Sequence, residues 1–190
     1  KSLSWLVNST TILVNILLAL QLVSRWIISS HFPISNLFES LCFLSWGLTL
    51  GQLLLQKEYQ TSIIPCVGIP ASLLTLGFAC FVLPDNLKIA SNLVPALRSS
   101  WLVMHVSVVM LSYSALIIGS LLSTSVLIID SKTPLQIRSN SIGIGGYKNF
   151  NSSNFNQLAD ETNFSQSEKL DTLSYRSILI GFFLLTLGLI

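Results

Sequence analysis

The chain has 190 residues, 51% of them hydrophobic and only 9% charged. A soluble domain carries about 25% charged residues, so a water-soluble globular fold is excluded and an integral membrane protein is indicated. The formal net charge of +2 is too small for a nucleic-acid partner. Cys42, Cys66 and Cys80 lie inside apolar runs, form no C-x-x-C pair and are odd in number, which excludes a closed disulfide framework.

The first apolar run, roughly 3–24, continues past the length of a signal-peptide h-region and reads as a span. The connection SSHFPISN (29–36) holds His31, and Asn36 followed by Glu39 has capping-box spacing. That spacing gives Glu39 a structural role at the start of a second span, roughly 37–55. After the short QKEYQ turn (56–60), a third run covers roughly 61–83. Its Pro65 and Pro70 predict a kink near the start, because each removes a backbone donor. PDNLKIASNLVPALRS (84–99) leads into the fourth run, 101–129, and no Asp, Glu, Lys or Arg occurs between Ser99 and Ile129.

Residues 130–176 hold 10 of the chain's 18 charged residues among many Asn, Ser and Gly, a composition that predicts a polar, disordered loop. The final run, SILIGFFLLTLGLI (177–190), is too short to cross a bilayer and reads as the start of a truncated span. With Lys1 in place of an initiating Met, the chain reads as a fragment. Lipid cannot satisfy open backbone groups, and the alternation of barrel strands is absent, so each span is expected to be helical. The expected fold is all-α, a polytopic transmembrane helix bundle of four complete spans plus one truncated span. Residues 1–129 form helices with short loops, 130–176 the polar loop and 177–190 the last helix.

Basic residues orient the bundle. Lys1, Lys57, Lys132, Arg138, Lys148, Lys169 and Arg176 fall at one end, against Arg25, Lys88 and Arg98 at the other. This puts the long loop in the cytoplasm-like compartment and both histidines, His31 and His105, on the far side.

His105 lies one turn inside an otherwise apolar span. Arg98, Trp101, His105 and Ser112 are separated by three, four and seven residues, so they line one helical stripe. A neutral imidazole is a good ligand for a metal or a haem iron. Arg98 stands about 10 Å up the helix at 1.5 Å per residue, a distance suited to a haem propionate when His105 holds the iron. Met104 points about 100° away on the helix and cannot share that iron. The spacing fits equally well a histidine hydrogen-bonded across a helix interface, with Trp101 and Arg98 as interfacial anchors. His31, in a surface loop before Pro33, is either a solvated residue or a second, weaker candidate ligand. No pair of acids, nucleophile with a base, or metal-spaced Cys/His cluster appears in the sequence. GIGGYK (143–148) lacks the third glycine of a dinucleotide fingerprint.

Two blocks, HFPISNLFESLCFLSW (31–46) and LVPALRSSWLVMHVSVVMLSYSALIIGSLL (93–122), resemble the CcsA family of cytochrome c biogenesis proteins, most nearly its plastid-encoded members. The resemblance covers most of 24–129. It resumes at LSYRSILIGFFLLTLGLI (173–190), which is similar to the span just before the family's tryptophan-rich WWD segment. It implies a multi-pass protein of the chloroplast thylakoid membrane, with the long loop stromal and both histidines lumenal. Such a protein works with a CcsB/ResB-type partner and is a subunit of a haem-attachment (cytochrome c synthase) complex rather than an enzyme by itself. The complex holds haem at the lumenal side and presents it for attachment to apocytochrome c. By its W-x-x-x-H context His105 matches the first of two histidines that hold the haem iron. Trp101 and Arg98 share its block and are candidate haem contacts. The WWD segment and the second histidine are not among these residues.

Rival readings are a membrane b-type haem or quinone electron-transfer subunit and a transporter subunit. The first would need paired ligands inside the bundle. The second would show internal repeats or broken helices with ionisable groups at mid-membrane, and only the PCVGIP segment points that way.

Overall fold

The computed structural model describes residues 2–59, 61–88, 100–130 and 166–190. The described chain is helical: α1 (Ser2–Ser29), α2 (Leu37–Glu58), α3 (Ile63–Gly77), α4 (Asp85–Lys88), α5 (Ser100–Asp130) and α6 (Gln166–Leu189). A π-helical turn over Phe78–Val82 extends α3. Among the described residues, five helices are long and apolar enough to cross a membrane: Ser4–Ser29, Leu37–Glu58, Ile63–Val82, Trp101–Ile129 and Lys169–Leu189. The all-α transmembrane bundle expected from the apolar runs is the observed architecture.

Side-chain contacts fix the directions of the helices. Asn15 on α1 reaches Trp46 and Thr49 on α2, and Arg25 reaches Glu39, so α1 and α2 are antiparallel. Ser45 meets Ser72 while Gln52 meets Gly68, so α3 also runs against α2. Gly47 faces Ser114 and Gly51 faces Ile118, so α5 runs parallel to α2. Helix α6 returns along α5, with Gly119 against Ile178 and Gly181 against Leu116. The outer end, as we call it, therefore gathers the end of α1, the start of α2, the end of α3 and the start of α5. Both histidines lie there.

Helix α2 is the hub, packing on α1, α3 and α5, whereas α6 packs chiefly on α5. Two apolar clusters sit along it. Leu22, Phe38, Cys42, Phe43, Ala79 and Leu83 form the outer one. Leu48, Ile64, Ile118, Leu122, Leu170 and Leu173 form the inner one. Between α5 and α6 small residues replace bulk. A Cβ on Gly119 would lie 2.7 Å from Ile178 Cγ1 and 3.1 Å from its backbone nitrogen. The two backbones approach closely there, as small residues allow between helices in lipid.

The last helix starts at Gln166 rather than at 177. Leu170 and Leu173 are fully buried against the inner cluster, so the segment has an apolar face despite its charges. With that addition the helix is long and apolar enough to cross a membrane, unlike the short run expected at 177–190. The remainder of the loop expected at 130–176, residues 131–165, lies outside the described residues. Pro65 falls in the first turn of α3, where its missing N–H has no helical partner to lose. The helix continues through Pro70, and it leaves α-geometry only at the far end, over Phe78–Val82.

Candidate functional site at the outer end

Helix α1 stops at Ser29, and Ser30 takes a left-handed conformation with φ of 56°. The chain then folds back through 31–36. Aromatic rings hold this connection down: Trp26 meets Phe32 edge-on at 5.2 Å, Phe32 meets Phe43 at 6.1 Å, and Phe43 meets Trp46 at 5.5 Å. His31 is half-buried, with its Nδ1 3.3 Å from the Phe32 carbonyl oxygen. These rings, with Pro33 and the α1 residues Ala19, Leu22 and Val23, line an apolar groove of about 180 Å³.

Asn36 stands at the N-cap of α2 in an extended conformation, but its side chain makes no capping hydrogen bond. The reciprocal capping box expected from Asn36 and Glu39 is therefore not formed. Glu39 instead reaches one residue further back. Its Oε2 accepts hydrogen bonds from the Ser35 backbone N–H (3.0 Å) and the Ser35 hydroxyl (2.7 Å). Its Oε1 accepts one from Arg25 Nη1 at 3.3 Å, and the carboxylate is fully buried. Arg25 also donates through Nη1 and Nη2 to the Lys88 carbonyl, 3.1 Å in each case. Its guanidinium lies 4.7 Å from the Phe38 ring centre. Arg25 and Glu39 thus tie α1, α2, the 30–36 connection and α4 together. In the sequence Arg25 carries weight only in the charge count, because its partners lie 14 and 63 residues away.

His105 lies in the second turn of α5 and, like His31, is half-buried. No hydrogen bond joins its ring to another group among the described residues. Trp101, one turn further out, is 74% exposed, and Met104 is 65% exposed. Ser112, on the same stripe, is fully buried, and its hydroxyl donates to the Gly181 carbonyl at 2.7 Å. Along the stripe burial therefore falls from Ser112 through the half-buried His105 to the exposed Trp101. The last close approach of α6 brings Gly188 against Val108 and Val109. His105 stands about one turn beyond that contact and Trp101 about two turns beyond it. Arg98 lies outside the described residues, so the spacing expected between it and His105 is not placed.

A family model described as cytochrome C assembly protein matches residues 34–190. The chain belongs to this family. It is also 68% identical over 190 residues to the cytochrome c biogenesis protein CcsA of Prochlorococcus marinus subsp. pastoris strain CCMP1986. That match covers 100% of this chain and 60% of the relative. CcsA of strain AS9601 is 69% identical over 190 residues, covering 100% of the chain and 62% of the relative. CcsA of strain NATL2A is 52% identical over 182 residues, covering 93% of the chain and 58% of the relative. The chain thus spans about 60% of the length of such curated relatives. All three come from a cyanobacterium, so the plastid origin expected from the sequence finds no support among them.

The haem implied by the family can be tested against the site. A haem iron needs an imidazole nitrogen with an open approach. His105 offers an imidazole that is half-buried and carries no competing hydrogen bond among the described residues. The chemistry of this ring fits such a ligand.

Proposed function

We propose that this chain supplies one side of a haem-presenting site in a membrane cytochrome c synthase system. His105 would hold the haem iron, Trp101 and Arg98 are candidate haem contacts, and the rest of the longer protein would provide the second ligand. The single observation that supports this is that the imidazole of His105, one turn in from the exposed Trp101, has no hydrogen-bond partner among the described residues. A histidine retained for helix packing would be hydrogen-bonded, as Ser112 is two turns further in. The register of α6 supports it too. The family's tryptophan-rich segment, following the 173–190 block, would emerge beside His105 and Trp101.

His105 would hold the group through a ring nitrogen, and α5 would hold His105. The helix is fixed a few turns away by the Ser112 bond to Gly181 and the close contact at Gly119. When bound, haem supplies the vinyl carbons to which apocytochrome thiols become attached. The part left to this chain is orientation, which lowers a barrier by fixing the geometry of the reacting groups. His31 sits in an aromatic-braced connection at the same end and is the secondary ligand candidate. The partners are a CcsB/ResB-type membrane protein and apocytochrome c. The setting is a thylakoid membrane, with the outer end lumenal.

His105→Ala in the full-length protein with its partner tests the reading. Maturation of cytochrome c and co-purifying haem are expected to fall by at least about tenfold, in line with the loss of an iron ligand, while protein accumulation stays near wild type. Exogenous imidazole should restore part of the bound haem. A packing residue would show the reverse, lower accumulation with normal haem. That pattern would refute the assignment.

A further inference from the structure

We infer that the inner half of the seam between α2 and α3 is a hydrated crevice, taking water from the end of the bundle that carries the 59–62 connection and leading it to Gln52. Gln52 is fully buried, and neither its Oε1 nor its Nε2 has a hydrogen-bond partner among the described residues. Gln56 lies one turn along the same helical face, and its Oε1 is likewise buried without a partner. The Thr61 hydroxyl, in the connection to α3, is the next such group. These unpaired atoms run from the bundle's edge to about 9 Å inside the end of α2, at 1.5 Å per residue.

The other half of α2 behaves differently. The Ser45 hydroxyl donates to the Ser72 carbonyl at 3.2 Å. Thr49 accepts from Asn15 Nδ2 at 2.8 Å and donates to the Trp46 carbonyl at 2.9 Å. The Ser45 and Thr49 hydroxyls deep in the bundle are thus paired within the protein, and the Trp46 indole N–H is a single unpaired group beside them, whereas Gln52, Gln56 and Thr61 form a run of unpaired atoms toward one end. Lipid cannot pair them, and polar groups buried without partners are strongly disfavoured.

Helix α3 offers no alternative partner. At Gly68 it presents bare backbone, and a Cβ there would lie 2.6 Å from Gln52 Oε1. Pro65, buried in the first turn, carries no N–H. The open groups are an amide with both donors and an acceptor, a second amide oxygen, and a hydroxyl. A ligand must donate and accept over short distances without a charge to neutralise, which is the hydrogen-bonding pattern of water. The rim supports a neutral ligand, because Arg176 Nη1 is already paired with Glu58 Oε1 (3.1 Å) and the Tyr59 hydroxyl (2.7 Å). This inference is independent of the haem reading.

Maleimide labelling in native membranes tests it, because alkylation requires the thiolate, which forms only where water reaches. In full-length protein with Cys42, Cys66 and Cys80 replaced by Ala, single Gln52→Cys and Gln56→Cys variants are compared with two controls. Leu48→Cys is buried in the apolar core, and Leu54→Cys faces outward from the bundle. N-ethylmaleimide should modify the Gln56→Cys and Gln52→Cys proteins about tenfold or more faster than either control. Rates at 52 no higher than the controls overturn the inference. Should the Gln52→Cys protein fail to accumulate, water-edited solid-state NMR of the unsubstituted protein decides instead. Transfer from water to the Gln52 side-chain amide is expected, and its absence overturns the crevice.

Discussion

Two ion pairs of nearly equal length tie this bundle together at opposite ends, and they differ in almost everything else. Arg25–Glu39 at the outer end spans 3.3 Å, with side chains 27% and 0% exposed. Arg176–Glu58 at the inner end spans 3.1 Å, with side chains 53% and 59% exposed. Water screens the inner pair on both sides. The outer pair is shielded, and Glu39 depends on Arg25 and Ser35 for what water would otherwise provide. The comparison teaches that distance says little about what an ion pair contributes. The number of its hydrogen bonds made inside the protein says more.

The largest effect should come from breaking the outer pair on one side. Arg25→Met leaves the Glu39 carboxylate buried without its counter-charge, which typically costs about 3–5 kcal/mol. Thermal unfolding in detergent, followed by tryptophan fluorescence, should show a large loss. Combining Arg25→Met with Glu39→Leu should recover most of it, since a well-packed apolar pair is often as stable as a buried ionic one. A double variant no better than the single one would show that the Lys88 carbonyl contact dominates.

A smaller loss is expected from Ser35→Ala. It removes the 2.7 Å hydroxyl donor to Glu39 but keeps the backbone N–H. A hydrogen bond to a charged group contributes about 1.5–3 kcal/mol, so an unfolding midpoint close to wild type would mean that Glu39 is less dependent on this connection than its geometry indicates. The smallest effect belongs to the inner end. Arg176→Ala should cost about 0–1 kcal/mol, as exposed pairs do, and the difference from wild type should shrink further at high salt. A loss as large as that of Arg25→Met would erase the distinction between the two ends.

The spans were legible because an apolar run in lipid has one backbone solution, the helix. The start of α6 was misplaced for a physical reason. Glu168, Lys169, Asp171 and Arg176 dominate the local composition, yet Leu170 and Leu173 are three residues apart on a buried face. Helical spacing carried that signal and composition hid it. Glu39 was legible as a helix-start residue but not as half of an ion pair, since nothing local in the sequence points to Arg25. Of the stripe expected from Arg98, Trp101, His105 and Ser112, the last three lie along α5, and Arg98 is outside the described residues. Ser112 meets α6 through its bond to the Gly181 carbonyl, a contact that depends on how two distant helices are registered and that no local pattern encodes.

The close contact of α5 with α6 has a consequence for the chain that joins them. Register is set where backbones meet, at Gly119 beside Ile178 and Gly181 beside Leu116, and by the Ser112 bond to the Gly181 carbonyl. The intervening sequence need not measure out the pairing. The entropy of closing a connection grows only with the logarithm of its length, about 0.6 kcal/mol for each doubling. Insertions or deletions between Asp130 and Gln166 should therefore leave the helix pair in place, whereas a single added methyl group at Gly119 acts directly on its alignment.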